Sequence, residues 1–491
     1  MLSLVRSVKN SFVPVNRIPP EILSLTPDYY DEDDVDQGLI TLTHVCRSWR
    51  DAFISRSSLW TRLDFTNVDK TRAYIHRSKS FPLEIYLEKN QNNSYLDDAF
   101  FLVIPHIHRV KSLVIRAKDL SDTIKHFYHH VPLLEKLDIR LTHHRAPIFN
   151  TRIFKGDLSS LRELSLGGVI TCLPCNNLAN LTTFKLKSSP PGLCSVTRLL
   201  DFFKRSPLLH TIDLEDSIPM SSDAPPGQTV SLPYLRLLAI SAQPPHSTLL
   251  NHLLIPAGAS LVLGFTFGGG KSPLRNYLPE NTANLKNLSH ITTISLQFDT
   301  TQKYVQMSRP SGNLCVLAHW EDKIISLHTM DRWIMCSINQ DIFSTTWRLA
   351  ISKYKPPRPA QVEECPVFQT LTSMNNLRTL ILARCYNLPF ILALNPNKNS
   401  SRLVLCPDLE TIILYIKSWD QFHIKHLLSM AKRRDLSGVK LSSITIVGLS
   451  ELVPGKEVLK LREYVTRVDY RIDDIPPDWY DLLNKSSDEA E

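Results

Sequence analysis

No stretch of the chain reaches the roughly 18 consecutive apolar residues that a membrane-spanning helix requires. The opening "MLSLVRSVKN" carries two basic residues but no long apolar core. A soluble intracellular protein is therefore expected, cytoplasmic and/or nuclear, with no membrane partner. Disulfide patterning is missing too: nine cysteines, an odd number, are scattered over 491 residues and read as reduced thiols. On that reading the glycosylation triplets at Asn180, Asn287 and Asn399 are chance matches. Nor does one sign of charge prevail. Against 56 Lys and Arg stand 48 Asp and Glu, and the formal net charge of +8 is far weaker than the footprint of a nucleic-acid binder.

Catalytic signatures are also absent. There is no G-x-S-x-G elbow, no H-E-x-x-H pair and no Gly-rich strand-turn-helix fingerprint, so no enzyme chemistry and no cofactor are expected. Three partial matches fail on spacing or partners. "GFTFGGGKS", residues 264–272, ends like a phosphate-binding loop, but Phe265 stands where the first glycine is required and Pro273 follows at once. Cys172 and Cys175 have the separation of a zinc pair without a second pair at finger spacing. His126, His129, His130, His143 and His144 cluster without acidic partners in ligand spacing. Neither a metal nor a nucleotide is expected.

What the chain does have is ordinary folding composition, 43% hydrophobic and 21% charged, and a repeat. Apolar residues at positions one, four and six recur at Val110/Leu113/Ile115, Leu134/Leu137/Ile139, Leu161/Leu164/Leu166, Leu181/Phe184/Leu186, Leu209/Ile212/Leu214 and Leu235/Leu238/Ile240. Trp60/Leu63/Phe65 and Pro82/Ile85/Leu87 precede them, and units beginning at Ile291, Leu377, Leu409 and Leu441 follow. The early spacings fall within the 20 to 29 residues typical of leucine-rich repeats. Strand alternation explains the template: positions four and six point inward, while three and five point out. One unit cannot bury its own apolar side, so neighbours must stack. The intervening segments supply helices or turns, as in residues 196–207, where Val196, Leu199, Leu200 and Phe203 share a helical face ended by Pro207. Only Cys385 matches the consensus Asn or Cys at position nine, so the array is degenerate. Two blocks, about 241–285 and 300–360, fit poorly and are expected to hold loops or inserted strands.

Ahead of the repeats lies an amphipathic segment. Leu39, Leu42, Val45, Cys46, Trp49 and Phe53 recur at steps of three and four, one stripe of a helix. "RIPPEILSL" before it predicts a short helix opened by proline. The acidic run "DEDDVD" between them reads as a solvated loop that places negative charge near a helix amino terminus. Fewer than about 50 residues cannot bury so many large apolar side chains alone. Either the first repeat covers them, making the segment a cap, or a partner does; patterning alone does not choose.

The residues themselves carry a resemblance. "IPPEIL" (18–23), "LTHVCRSWRDAF" (42–53) and "SSLW" (57–60) resemble an F-box, with its Pro-containing opening, Glu-Ile-Leu turn, Val-Cys-Arg-x-Trp and closing Leu-Trp, over residues 17–62. Ile18 stands where leucine is usual, and residues 24–38 make the first half irregular. With the repeats, the chain is similar to the F-box and leucine-rich-repeat proteins of mushroom-forming fungi. The resemblance implies an α/β chain in which a short helical F-box precedes an irregular leucine-rich-repeat solenoid, a curved parallel sheet with outer helices and loops. The domains would be an extension (1–16), the F-box (17–62), the repeats (60–475) and an acidic tail (476–491).

It implies a non-catalytic receptor of an SCF ubiquitin ligase, docked on a Skp-family adaptor and through it a cullin, with the repeats holding a target protein. Ile18, Pro19, Ile22, Leu23, Leu42, Val45, Cys46 and Trp49 would form the adaptor surface. Target contacts are expected at outward strand positions Lys136, Asp138, Glu163, Lys185, Thr211 and Asp213, and on the loops of the two poorly fitting blocks. The rival reading is an interaction scaffold outside any ligase, whose first helices only cap the repeats. Because Trp60 belongs both to the closing Leu-Trp and to the first repeat, no flexible linker is expected between them.

Overall fold

The structure is a computed structural model of the 491-residue chain. It describes residues 12–26, 35–88, 101–117, 129–141, 153–156, 158–168, 173–187, 195–217, 222–241, 247–266, 282–288, 291–298, 302–309, 314–321, 345–352, 371–372, 374–383, 387–396, 404–416, 421–448 and 456–472. The chain is mixed α/β and divides into two compact units, Met1–His210 and Thr211–Glu491.

The first unit opens with helices. After a 3-10 turn at Pro14–Arg17 come α1 (Pro20–Leu23), α2 (Val35–Thr43), α3 (Arg47–Ser55) and a second 3-10 turn at Ser57–Trp60. Pro20 sits at the first position of α1, where its missing N–H costs nothing. The single helical stripe expected from Leu39 to Phe53 is corrected: it is two helices, broken at residues 44–46, with Cys46 fully extended. The Thr43 hydroxyl bonds back to the Ile40 carbonyl at 2.7 Å, competing with the helix ladder. Arg50 Nε then donates to the freed Thr43 carbonyl at 3.1 Å, so α3 caps α2.

A parallel sheet follows in sequence order: β1 (Arg62–Leu63), β2 (Leu83–Glu88), β3 (Val110–Ala117), β4 (Lys136–Leu141), β5 (Glu163–Gly167) and β6 (Thr183–Lys187). Template positions four and six lie in register: Leu113, Leu137, Leu164 and Phe184 form one row, and Ile115, Ile139, Leu166 and Leu186 the next. All eight are buried. Helix α4 (Val68–Arg77) is capped by Asn67, whose side chain accepts from Asp69 N and Lys70 N. Helix α5 (Val196–Arg205) buries Val196, Leu199, Leu200 and Phe203 as expected, and Phe202 besides. Phe202 packs on Phe184 with ring centroids 4.5 Å apart.

Polar side chains bond backbone groups in the segments between strands. Ser160 Oγ donates to the Pro132 carbonyl at 2.7 Å, Asn180 Nδ2 to Ser159 O at 2.7 Å, and buried Asn176 binds both Ile153 N and Gly156 O. Cys385, the expected match, lies outside the described residues.

In the second unit the spatial order is β7 (Thr211–Glu215), β9 (Leu237–Ser241), β11 (Ser260–Thr266), β14 (Leu314–Glu321), β13 (Gln302–Ser308), β12 (Thr293–Phe298), β15 (Arg348–Ser352), β16 (Thr379–Ala383), β17 (Thr411–Ile416), β18 (Ser443–Gly448) and β19 (Arg467–Ile472). A small pair, β8 (Val230–Ser231) and β10 (Leu253–Leu254), lies apart. Every pairing is parallel except those of β13, which runs antiparallel to both β12 and β14. The poorly matching blocks thus contain β10, β11, β13, β14 and β15. Helix α6 (Ser247–Leu250) precedes β10, α7 (Leu388–Ala393) and α8 (Gln421–Leu436) lie between later strands, and α9 (Lys456–Lys460) precedes β19. From α8, buried Arg434 donates to the Leu405 and Cys406 carbonyls at 2.9 and 2.8 Å. Burial pushes the Cys406 thiol up to about 12, and the Arg434 guanidinium opposes that rise.

Candidate functional site

The first helices pack against one another. Leu39, Ala52 and Phe53 are closed off, and Trp49 lies against Phe53 with ring centroids 6.0 Å apart. Trp60, fully buried, donates its indole N–H to the Phe53 carbonyl at 3.0 Å, meets Tyr74 edge-on and is covered by the Arg77 guanidinium 4.4 Å from its ring. Leu63, three residues on, already pairs with Ile85 in the sheet. The helices are therefore joined to the strands through packed, hydrogen-bonded residues, as the shared role of Trp60 predicts.

The eight residues expected to face a partner fall into three groups. Ile18, Pro19, Ile22 and Val45 are exposed, with Ile22 and Val45 at 57% and 52%; Cys46 and Trp49 are half-buried. Leu23 and Leu42 are corrected: they are buried, at 6% and 7%, among the chain's own helices. Once the stripe is broken at residues 44–46, the two halves turn different residues inward. Leu23 and Leu42 hold the helices together and offer no surface.

Sequence reasoning assigned residues 1–16 to an extension and missed what residues 12–16 contribute. Asn16 Oδ1 accepts the Trp49 indole N–H at 2.6 Å and lies 3.9 Å from Cys46 Sγ. That bond ties the Pro14–Arg17 turn to Trp49 of α3, and Phe12, Val13 and Val15 around it are exposed. With Leu25 and Ile40, residues 12–45 supply half of the exposed large apolar side chains among the described residues. The run of apolar residues in "SFVPVNRI" was the available signal. Arg17, Arg47 and Arg50 are exposed on the same elements, together with Glu21 and Asp51. Exposed apolar side chains grouped in this way are a common feature of protein contact surfaces.

The six outward strand positions fare differently. Lys136 and Glu163 are exposed and face each other across β4 and β5, Nζ to Oε2 3.5 Å. Asp138 is corrected to a buried position: the Arg140 guanidinium lies over it on the same face, with hydrogen bonds of 3.2 and 3.0 Å to its two oxygens. Lys185 is half-buried on β6; Thr211 and Asp213 are half-buried on β7 of the second unit.

Of the partial motifs, Cys175 is exposed and His129 and His130 are described, while Cys172, His126, His143, His144 and residues 267–272 lie outside the described residues. Among the described residues no group of three or more His, Cys, Asp or Glu is placed to hold a metal, and no helix is long and apolar enough to cross a membrane. No family model matches the chain, and no curated protein is similar to it.

Proposed function

We propose that the chain is the target-recognition subunit of an SCF-type ubiquitin ligase, with its helical segment an F-box and its strands a degenerate leucine-rich-repeat domain. On this reading the helices dock on a Skp-family adaptor, the adaptor joins a cullin, and the repeats hold a target protein in the cytoplasm and/or nucleus. The protein does no bond chemistry; it raises the effective concentration of the target near a ubiquitin-loaded enzyme. The observation that carries the reading is the exposure of Ile18, Ile22 and Val45, on residues that match the F-box pattern. Each such side chain gains roughly 1.5 to 3 kcal/mol on full burial, enough for a few of them to dominate an interface.

The test is capture of the purified adaptor by the full chain. Wild type is expected to bind, and Ile22→Asp/Val45→Asp to bind at least tenfold more weakly with an unchanged melting temperature. Equal capture by both, or none by folded wild type, defeats the proposal. A second reading, the scaffold outside any ligase, is favoured by the burial of Trp60 and Leu63, through which the helices seal the first strand. Capture by wild type alone separates the two.

A further inference from the structure

Register places the outward residues of β2 to β6 in three rows. At the amino-terminal end run Glu84, Ser112, Lys136, Glu163 and Thr183; in the middle Tyr86, Val114, Asp138, Ser165 and Lys185; at the carboxyl end Glu88, Arg116, Arg140, Gly167 and Lys187. The first row neutralises itself through Lys136 and Glu163. In the middle row Asp138 is spent on Arg140. The last row is basic on three of its five strands, and Lys185 adds a fourth cation beside it.

Among the described residues Arg116 has no carboxylate partner. Its guanidinium lies 5.5 Å from the Tyr86 ring, which holds the group over the face without neutralising it. Lys185 likewise makes no ion pair among the described residues. Between Arg140 and Lys187 the row has a gap, because Gly167 carries no side chain. At Gly167 itself a Cβ would meet only Arg140 Cγ, at 3.5 Å, so the gap comes from the residue type; at the next position Gly168 has φ +63°, donates its N–H to the Lys187 carbonyl at 3.0 Å, and would drive a Cβ into the Leu141 carbonyl oxygen.

Spacing then sets what fits. Neighbouring strands lie about 4.8 Å apart, so Arg116 to Lys187 spans about 14 Å in three steps. An extended peptide advances about 3.3 Å per residue, so side chains on one of its faces at i, i+2 and i+4 cover about 13 Å.

We propose that the carboxyl-terminal end of the β3 to β6 face binds an extended acidic polypeptide segment whose alternating carboxylates meet Arg116, Arg140 and the Lys185/Lys187 pair. Calling this segment part of the ligase target rests on the function proposed above; the binding itself does not. Arg140 serves both the segment and Asp138, so it orients one carboxylate rather than contributing a full free charge.

The experiment is fluorescence anisotropy on the full chain with a labelled Gly-Glu-Gly-Glu-Gly-Glu-Gly peptide, its Gln counterpart and its phosphoserine counterpart. Wild type is expected to bind the Glu peptide with an affinity that falls as salt rises, and the Gln peptide at least tenfold more weakly. Arg116→Ala/Lys185→Ala should weaken the Glu peptide at least tenfold. Arg198→Ala/Lys204→Ala, on α5, should leave it unchanged. No binding by wild type, equal loss in both double variants, or binding confined to the phosphoserine peptide overturns the proposal. Adaptor capture by the same preparation keeps the failures apart: capture without peptide binding sinks this inference alone, and peptide binding without capture sinks the ligase reading alone.

Discussion

Residues 12–60 and the strands of the first unit are both rich in apolar side chains, and they spend them differently. In the strands, template positions four and six are covered from both sides along the sheet by the next repeat, so Leu137, Leu164 and Phe184 are at most 1% exposed. In the helices Leu23, Leu42 and Phe53 go inward, while Ile18, Ile22 and Val45 stay 38%, 57% and 52% exposed. Repetition explains the contrast: a repeated element meets a copy of its own complement at each step, whereas a unique element must find cover elsewhere.

The sharpest way to break that contrast is Phe184→Ala. Loss of a ring packed on Phe202 and Phe203 should cost about 3 to 5 kcal/mol, read as a lower denaturant midpoint. Next comes a matched pair in the helices. Leu42→Ala should cost about 2 to 5 kcal/mol, whereas Ile22→Ala should stay within about 0.5 kcal/mol yet weaken adaptor capture. If the two destabilise equally, the division between inward and outward halves is wrong. Gly168→Ala should cost about 1 to 3 kcal/mol from its left-handed backbone alone, before the contact with the Leu141 oxygen is relieved.

The smallest effect is expected at Asp64. Burial alone would raise its carboxyl, but Lys70 at 2.7 Å and the Thr66 backbone and hydroxyl outweigh it and hold the group below its ordinary value. Its stabilisation is therefore present above the unfolded value of about 3.9 and lost as pH falls through the lower folded value. Lys70→Met should separate from wild type in thermal melts at pH 6 and converge with it below about pH 3.

Much of the sheet was legible because the template is enforced by burial at every step. The units at Ile291, Leu377, Leu409 and Leu441 all lead into strands. The template passes over three strands where position one or six departs from a plain aliphatic, two of them in the blocks expected to hold loops or inserted strands. Thr346 leads into β15, Gly258 into β11, and Tyr470 ends the pattern begun by Val465 and Val468 in β19. In these three units position one lies outside the strand, so a buried threonine or a turn glycine serves there, and counting aliphatics cannot see it. The helix break at residues 44–46 was hidden for a different reason: steps of three and four are satisfied equally by one helix or by two meeting at an angle. The row of Arg116, Arg140 and Lys187 could not be read at all, because register exists only between segments far apart in sequence.

Strand β13 makes the second unit a mixture of two assembly problems. The strands β12, β13 and β14 meet across short links, while each parallel step elsewhere in that sheet must close a much longer stretch of chain. Short closures cost less entropy and form faster. The meander is thus a kinetic seed lodged inside a slow array, and its backbone amides should gain protection from pulse-labelled exchange before those of β16 to β19.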